Sequence, residues 1–325
     1  MDIDLSVLRL LEREKEIPFD ELIEIIEAAI LAAYFKHIGD HSKGPRAQLD
    51  RKTGHVSVFA PILNEAEEQV GEEEVTPDGF GRVAAYAAKQ VIAQRMRELA
   101  DEGLLGEFKG KEGDIVAGQI QQGSRPYMVY VNLGTIEAIM PPEEQVPGED
   151  YSHGRRIRVY ITSVQRGLRG PMITVSRTHP NLVRKLFALE VPEVAAGQVE
   201  IASVAREAGH RTKIAVRSKE PGINAKGACI GELGQRVRAV SAELNEEKID
   251  VVDFSEDLAE FVAHALSPAK VSSSFVIDPG AKAVRVLVPD FQLSLAIGKE
   301  GQNARLAAKL TGAKIDIQPE SSLEE

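Results

Sequence analysis

The chain has 325 residues, 43% hydrophobic and 27% charged, enough apolar material for more than one core. Its single cysteine, Cys229, excludes a disulfide framework and a cysteine-rich zinc site, and no apolar run approaches the ~18 residues of a membrane span. The net charge of −11 argues against a polyanionic partner until it is divided: residues 1–106 hold 12 basic and 21 acidic groups, whereas Arg155 to Lys185 holds eight Lys/Arg and no Asp or Glu.

Asp20 to His37 is predicted as a helix, with Leu22, Ile25, Ile26, Ala29, Ile30 and Ala33 at helical spacing and acids in its first turns. A turn at Lys43-Gly44-Pro45 leads to a hairpin over Ala47 to Phe59. Glu65 to Glu74 reads as an acidic connector, and Gly81 to Ala100 as a second long helix. Gly103 and Gly106 to Gly110 mark a boundary. Beyond it the pattern becomes short strands at Ile115 to Gln119, Met128 to Asn132, Ile136 to Met140, Arg156 to Val164 and Met172 to Ser176. Five such strands in about 65 residues suggest a small closed barrel of the OB type.

Past Pro180 the chain repeats itself. Ile230 to Arg238 leads into Lys248-Ile249-Asp250-Val251, and Ile297 to Arg305 leads into Lys314-Ile315-Asp316-Ile317; allowing one gap, ten positions are identical. Each copy reads as a helix end, a Gly-x-x-Gly turn, a second helix and a strand. Glycine lets the turn's backbone approach a sugar-phosphate chain, and the following helix presents unpaired N–H groups and a positive dipole end. This is the pattern of a KH module, whose loop clamps about four nucleotides of a single strand. Candidate RNA contacts are Gly231, Glu232, Leu233, Gly234, Gln235 and Arg236 in the first copy. In the second they are Gly298, Lys299, Glu300, Gly301, Gln302, Asn303 and Arg305. The first loop carries an acid and no base; the second sets Lys299 beside Glu300. In the barrel, Tyr127 is the aromatic best placed for stacking, while Tyr130 suits a core role at least as well. Arg166 and Arg169 are expected on a turn bounded by Gly167 and Gly170 and are candidate phosphate contacts. Arg177 and Arg184 flank the junction at Pro180 and are expected to brace barrel against KH pair.

Other signals are weaker. Gly79-x-Gly81-x-x-Ala84 matches a dinucleotide fingerprint, but an acidic connector rather than a strand is expected before it. His37 and His41 are four apart with Gly39 between them and no third ligand near. Cys229 sits in an apolar frame and reads as core. No nucleophile–base set stands out, and no enzyme, cofactor or metal is expected.

The order of these parts is similar to that of the NusA family of bacterial transcription factors. The most specific stretches are Val288 to Gly298, Gln302 to Ala307 and Ser176-Arg177-Thr178-His179-Pro180, joined by Leu189 to Glu193 and Lys226 to Gly231. The resemblance implies a multidomain α+β chain. It would have an N-terminal α/β domain that binds RNA polymerase (1–106), an S1-type OB barrel (107–180) and two type II KH domains (181–268 and 269–325). It further implies a cytoplasmic, monomeric, non-enzymatic factor. The barrel and KH pair would meet nascent single-stranded RNA, with other elongation or antitermination factors as partners, to modulate pausing, termination and antitermination. The chain ends at Glu325, soon after the second KH pattern, so functions tied to the further C-terminal repeats of some members are not expected of it. The alternatives are an RNA-decay or ribosome-associated scaffold, and a nucleotide-dependent enzyme built around Gly79 to Ala84.

Overall fold

A computed structural model describes residues 3–15, 17–39, 44–64, 68–167 and 170–323. The chain divides into two compact units, Met1–Gly103 and Leu104–Glu325.

The first unit contains helices α1 (Leu5–Lys15) and α2 (Phe19–Ile38), strands β1 (Arg46–Leu49), β2 (Val56–Leu63) and β3 (Gln69–Glu74), and most of helix α3 (Phe80–Lys109). Acids Asp20 and Glu21 favour the start of α2, and Gly39 ends it in the left-handed conformation. Ala47, Leu49, Val56 and Val58 point from the antiparallel sheet onto Leu22, Ile26 and Ile30 of α2 and Phe80, Ala84 and Ala88 of α3. Pro61 sits in β2 beyond the residues paired with β1, facing Glu72 of β3 only, so its missing N–H breaks no ladder.

Three expectations need correction. The acidic connector contains a strand: β3 pairs with β2, its backbone supplying what its polar side chains do not. Residues 65–67 lie outside the described residues. Gly103 and Gly106 do not end a helix, since α3 runs through both to Lys109. A strand does precede Gly79, but it is an exposed antiparallel edge, not the first strand of a parallel βαβ unit. A dinucleotide cradle needs the latter.

The second unit opens with β4 (Ile115–Gln121), β5 (Val129–Asn132), β6 (Glu137–Met140), β7 (Arg156–Gly167) and β8 (Gly170–Ser176). They close a barrel in the order β4-β5-β6-β8-β7, antiparallel except between β6 and β8. That is the OB arrangement. Ile120, Val131, Met140, Val159, Ile161, Ile173 and Val175 fill it.

Two modules with the same element order, αββααβ, follow. The first comprises α4 (Pro180–Glu190) and the short α5 (Pro192–Ala195), then β9 (Val199–Glu207), β10 (Arg211–Ser218), α6 (Ala225–Ile230), α7 (Gln235–Glu243) and β11 (Lys248–Asp253). The second has α8 (Leu258–Ala265), β12 (Ser273–Asp278), β13 (Ala283–Val288), α9 (Leu293–Ile297), α10 (Gln302–Thr311) and β14 (Lys314–Pro319). In each, the middle strand pairs antiparallel with the first and parallel with the last. The repeated Lys-Ile-Asp has a structural reason. Asp250 faces Lys213 across the parallel pair, and Asp316 faces Arg285 in the same register, each bonded at 2.8 Å.

The modules share a core. Ala205, Ala215 and Val252 of the first sheet pack with Phe261, Val262, Leu306 and Leu310 of the second module. Buried Lys213 donates to Asp250 and, at 2.6 Å, to the carbonyl of Ser267, just past α8 of the second module; burial lowers its pKa.

Candidate nucleic-acid interface

The two Gly-x-x-Gly turns have nearly one backbone. Gly231 and Gly298 lie at φ +76° and +78°, Leu233 and Glu300 at +50° and +53°, and Gly234 and Gly301 at +75° and +73°. In each, the last glycine's N–H donates to the first glycine's carbonyl at 3.1 Å. Glycine is required at the first position for space as well as for φ. A Cβ on Gly298 would stand 2.8 Å from Asn303, and one on Gly231 2.7 Å from Arg236. Leu233 and Glu300 hold left-handed conformations that cost a non-glycine residue on the order of 1–3 kcal/mol each. Each turn delivers the chain into the N-terminus of α7 or α10, where peptide N–H groups and the helix dipole favour an anion.

Around this shared frame the side chains divide. Glu232 and Leu233 are exposed in the first loop, Leu233 at 87%. Lys299 and Glu300 are exposed in the second. Gln235 is exposed at the start of α7. Gln302 and Arg305 lie on the outer side of α10, bonded to Glu207. Asn303 is fully buried: its amide donates to the carbonyls of Ala296 and Leu266 at 2.9 and 3.0 Å, tying α10 to the end of α9. Arg236 occupies the same place in the first module, donating to the Ala228 carbonyl at 2.8 Å and to Glu193 at 2.9 Å. Both therefore fasten the turn from behind.

Sequence reasoning missed Phe291, 82% exposed on the turn that opens the second module's helix pair, with Leu295 and Ile297 exposed after it. An aromatic just upstream of a Gly-x-x-Gly motif is the signal that could have found it.

On the barrel, Tyr127 is 59% exposed, while its carbonyl accepts a bond from Gln145. Tyr130 is half-buried with the backbone at Gly123 laid against its ring, where a Cβ would come within 1.9 Å. The basic run separates into distinct roles. Arg156 is exposed beside Gln119, Asn132 and Gly134, around a surface depression of about 330 Å³. Arg158 pairs with Glu243 at 3.0 Å. Arg166 is exposed on β7 opposite Pro171, and Arg169 lies outside the described residues. Arg177 is buried and joins barrel to first module. It bonds Glu149 and, at 2.9 Å, the carbonyl of Arg158 on the barrel side, and the carbonyl of Glu243 at 2.8 Å on the other. Lys185 adds a pair to Asp114, and Arg184 bonds the carbonyl of Ile201. The brace expected of Arg177 is thus present, whereas Arg184 acts inside its own module.

His179 stacks on Tyr160 with 4.4 Å between centroids, accepts a bond from the N–H of Asn181 and is held below its ordinary pKa by burial. Burial pushes the Cys229 thiol up to about 11, as suits an inert core residue. Among the described residues no group of three His, Cys, Asp or Glu is placed to hold a metal ion, and no helix is long and apolar enough to cross a membrane. His41 lies outside the described residues.

A five-strand OB barrel joined to two αββααβ modules with glycine-clasped loops defines a tandem KH protein of the nucleic-acid-binding class. Residues 5–70 match the NusA N-terminal domain, residues 177–254 the NusA-like first KH domain and residues 258–325 the NusA-like second KH domain. The chain is 57% identical over 325 residues to the transcription termination/antitermination protein NusA of Mycobacterium tuberculosis, covering 98% of this chain and 93% of that protein. It is 47% identical to the Bacillus subtilis protein of the same name, covering 99% of this chain and 92% of the other. A solution structure of the N-terminal domain of NusA from B. subtilis is 38% identical over 29% of this chain and 93% of that one, with a TM-score of 0.25. The chain belongs to the NusA family.

Proposed function

We propose that this chain is a non-enzymatic transcription factor of the cytoplasm. It binds core RNA polymerase through its N-terminal unit and the emerging transcript through its barrel and KH modules. It thereby modulates pausing, termination and antitermination. The observation that carries the RNA half is the pair of matched Gly-x-x-Gly turns, each with its two middle side chains exposed and each leading directly into a helix N-terminus. Phosphates would lie along the turns, and Phe291 and Leu233 offer apolar surface to unstacked bases. Tyr127, Arg156 and Arg166 would extend the path over the barrel. The polymerase half rests on family membership and on charge. Residues 1–106 carry net −9, which repels RNA and leaves that unit free to meet protein. We further propose domain limits near 106 and 180, a limit between the KH modules that falls between residues 254 and 258, ahead of α8, rather than at the expected 268, and a monomeric state. The RNA-decay reading has no support from the relatives, which carry the termination/antitermination name.

Gel filtration with purified core RNA polymerase tests the division. Residues 1–106 should co-elute with the enzyme and bind no labelled RNA, and residues 107–325 should do the reverse. RNA binding concentrated in residues 1–106 overturns the reading.

A further inference from the structure

The second loop is not held by its own module alone. Glu207 closes β9 of the first module, and its carboxylate reaches the first two turns of α10. One oxygen accepts from Arg305 Nε at 2.6 Å, the other from Gln302 Nε2 at 3.0 Å. Arg305 Nη1 donates in turn to the carbonyl of Glu300 at 3.2 Å. Glu300 is the loop's left-handed, non-glycine residue. A short chain of bonds thus runs from the first module's sheet to the most strained point of the second module's loop. The first loop has no such tether. Arg238, the counterpart of Arg305, and Gln235, the counterpart of Gln302, make no ion pair or side-chain hydrogen bond among the described residues. The Glu207 carboxylate is held below its ordinary pKa, chiefly by the Arg305 bond, so it is charged at neutral pH. Beside it opens a cleft of about 500 Å³, with Gly209, His210 and Lys248 of the first module on one side and Lys299 and Glu300 on the other.

We propose that Glu207 is a latch that fixes the second Gly-x-x-Gly loop against the first KH module, so that the two loops engage one RNA strand as a coupled pair. The proposal rests on the RNA-binding reading above and adds a positioning residue to it. Two sites held at a fixed separation gain affinity for a ligand long enough to span them, and a loose joint forfeits part of that gain. Glu207 would not itself touch RNA. Its effect would therefore depend on RNA length.

The test uses the full chain and A-rich, unstructured, labelled RNAs of about four and about twelve nucleotides, the shorter matching one KH site. The wild-type chain should bind the longer RNA at least about tenfold more tightly. Glu207→Ala should lose most of that advantage, binding the longer RNA about tenfold more weakly than wild type and the shorter one equally well. Glu207→Gln keeps an acceptor for Gln302 but no charge for Arg305, and should fall between. A thermal melt checks that each variant is folded. Independently of RNA, amide hydrogen exchange over residues 298–302 should quicken in Glu207→Ala. A Glu207→Ala chain with the wild-type length dependence and exchange overturns the latch. So does one that binds the short RNA more tightly than wild type, since Glu207 would then be a competitor for phosphate. A wild-type chain that binds neither RNA overturns the RNA reading and the coupling together, while the exchange measurement still shows whether the tether exists.

Discussion

Arg177 shows why a run of basic residues is a poor map of an RNA surface. It lies among eight cations with no intervening acid, yet only 1% of its side chain is exposed and its guanidinium is used up by the barrel and the first KH module. Its place at the junction was legible, because it sits where barrel pattern gives way to helix pattern. Its partners were not: Glu149 and Glu243 are 28 and 66 residues away. Arg177→Ala would leave Glu149, itself 1% exposed, buried without its counter-charge. Breaking a buried pair in this way costs on the order of 3–5 kcal/mol. The urea midpoint of the unit spanning residues 104–325 should fall accordingly. An unchanged midpoint would contradict the brace. Asn303 and Arg236 teach the same lesson at the loops. Their place after the motif suggested contact with RNA, whereas the fold turns them inward onto helix-end carbonyls.

At the scale of elements, what the sequence revealed was local. The Gly-x-x-Gly turns, α2 and the barrel strands follow from spacing within a few residues. The elements missed draw their stability from elsewhere. Strand β3 buries no side chain, its one large apolar residue Val70 being exposed, and exists because β2 offers an unpaired edge. Helix α3 tolerates Gly103 and Gly106, each costing about 1 kcal/mol relative to alanine, because good helix formers flank them and the helix is already nucleated. The loops share one backbone and differ in charge, and this supports a graded prediction. Replacing Lys299 and Glu300 with Asp sets two carboxylates toward phosphate while keeping a residue type that accepts the left-handed conformation. Single-stranded RNA binding should weaken severely, by about a hundredfold or more at low salt, and less at high salt. The same change at Glu232 and Leu233 should cost less, because Glu232 is already acidic. Fluorescence titration at several salt concentrations, with circular dichroism as the check on folding, measures both. Equal losses would mean that charge in the loop is not the determinant.

Over the whole molecule, charge and packing divide the labour. The acidic excess is concentrated in residues 1–106, and the glycine-clasped loops lie in the unit beyond. Within that unit the junctions are closed by long-range partners that no local pattern marks. Arg177 lies between barrel and first module, and Lys213, Glu207 and the small residues Ala205 and Ala215 lie between the two KH modules. Domain order was therefore legible, and the way the domains are locked together was not. The central claim is that the transcript is read through these loops while the chain acts on RNA polymerase. The most direct test is transcription in vitro through a hairpin-dependent terminator, with the full chain or its Lys299→Asp/Glu300→Asp variant added to core enzyme and initiation factor. The wild-type chain should raise the terminated fraction, and the variant, though it still co-elutes with the polymerase, should leave that fraction near the level without the factor. A variant that raises termination as fully as the wild-type chain would contradict the account.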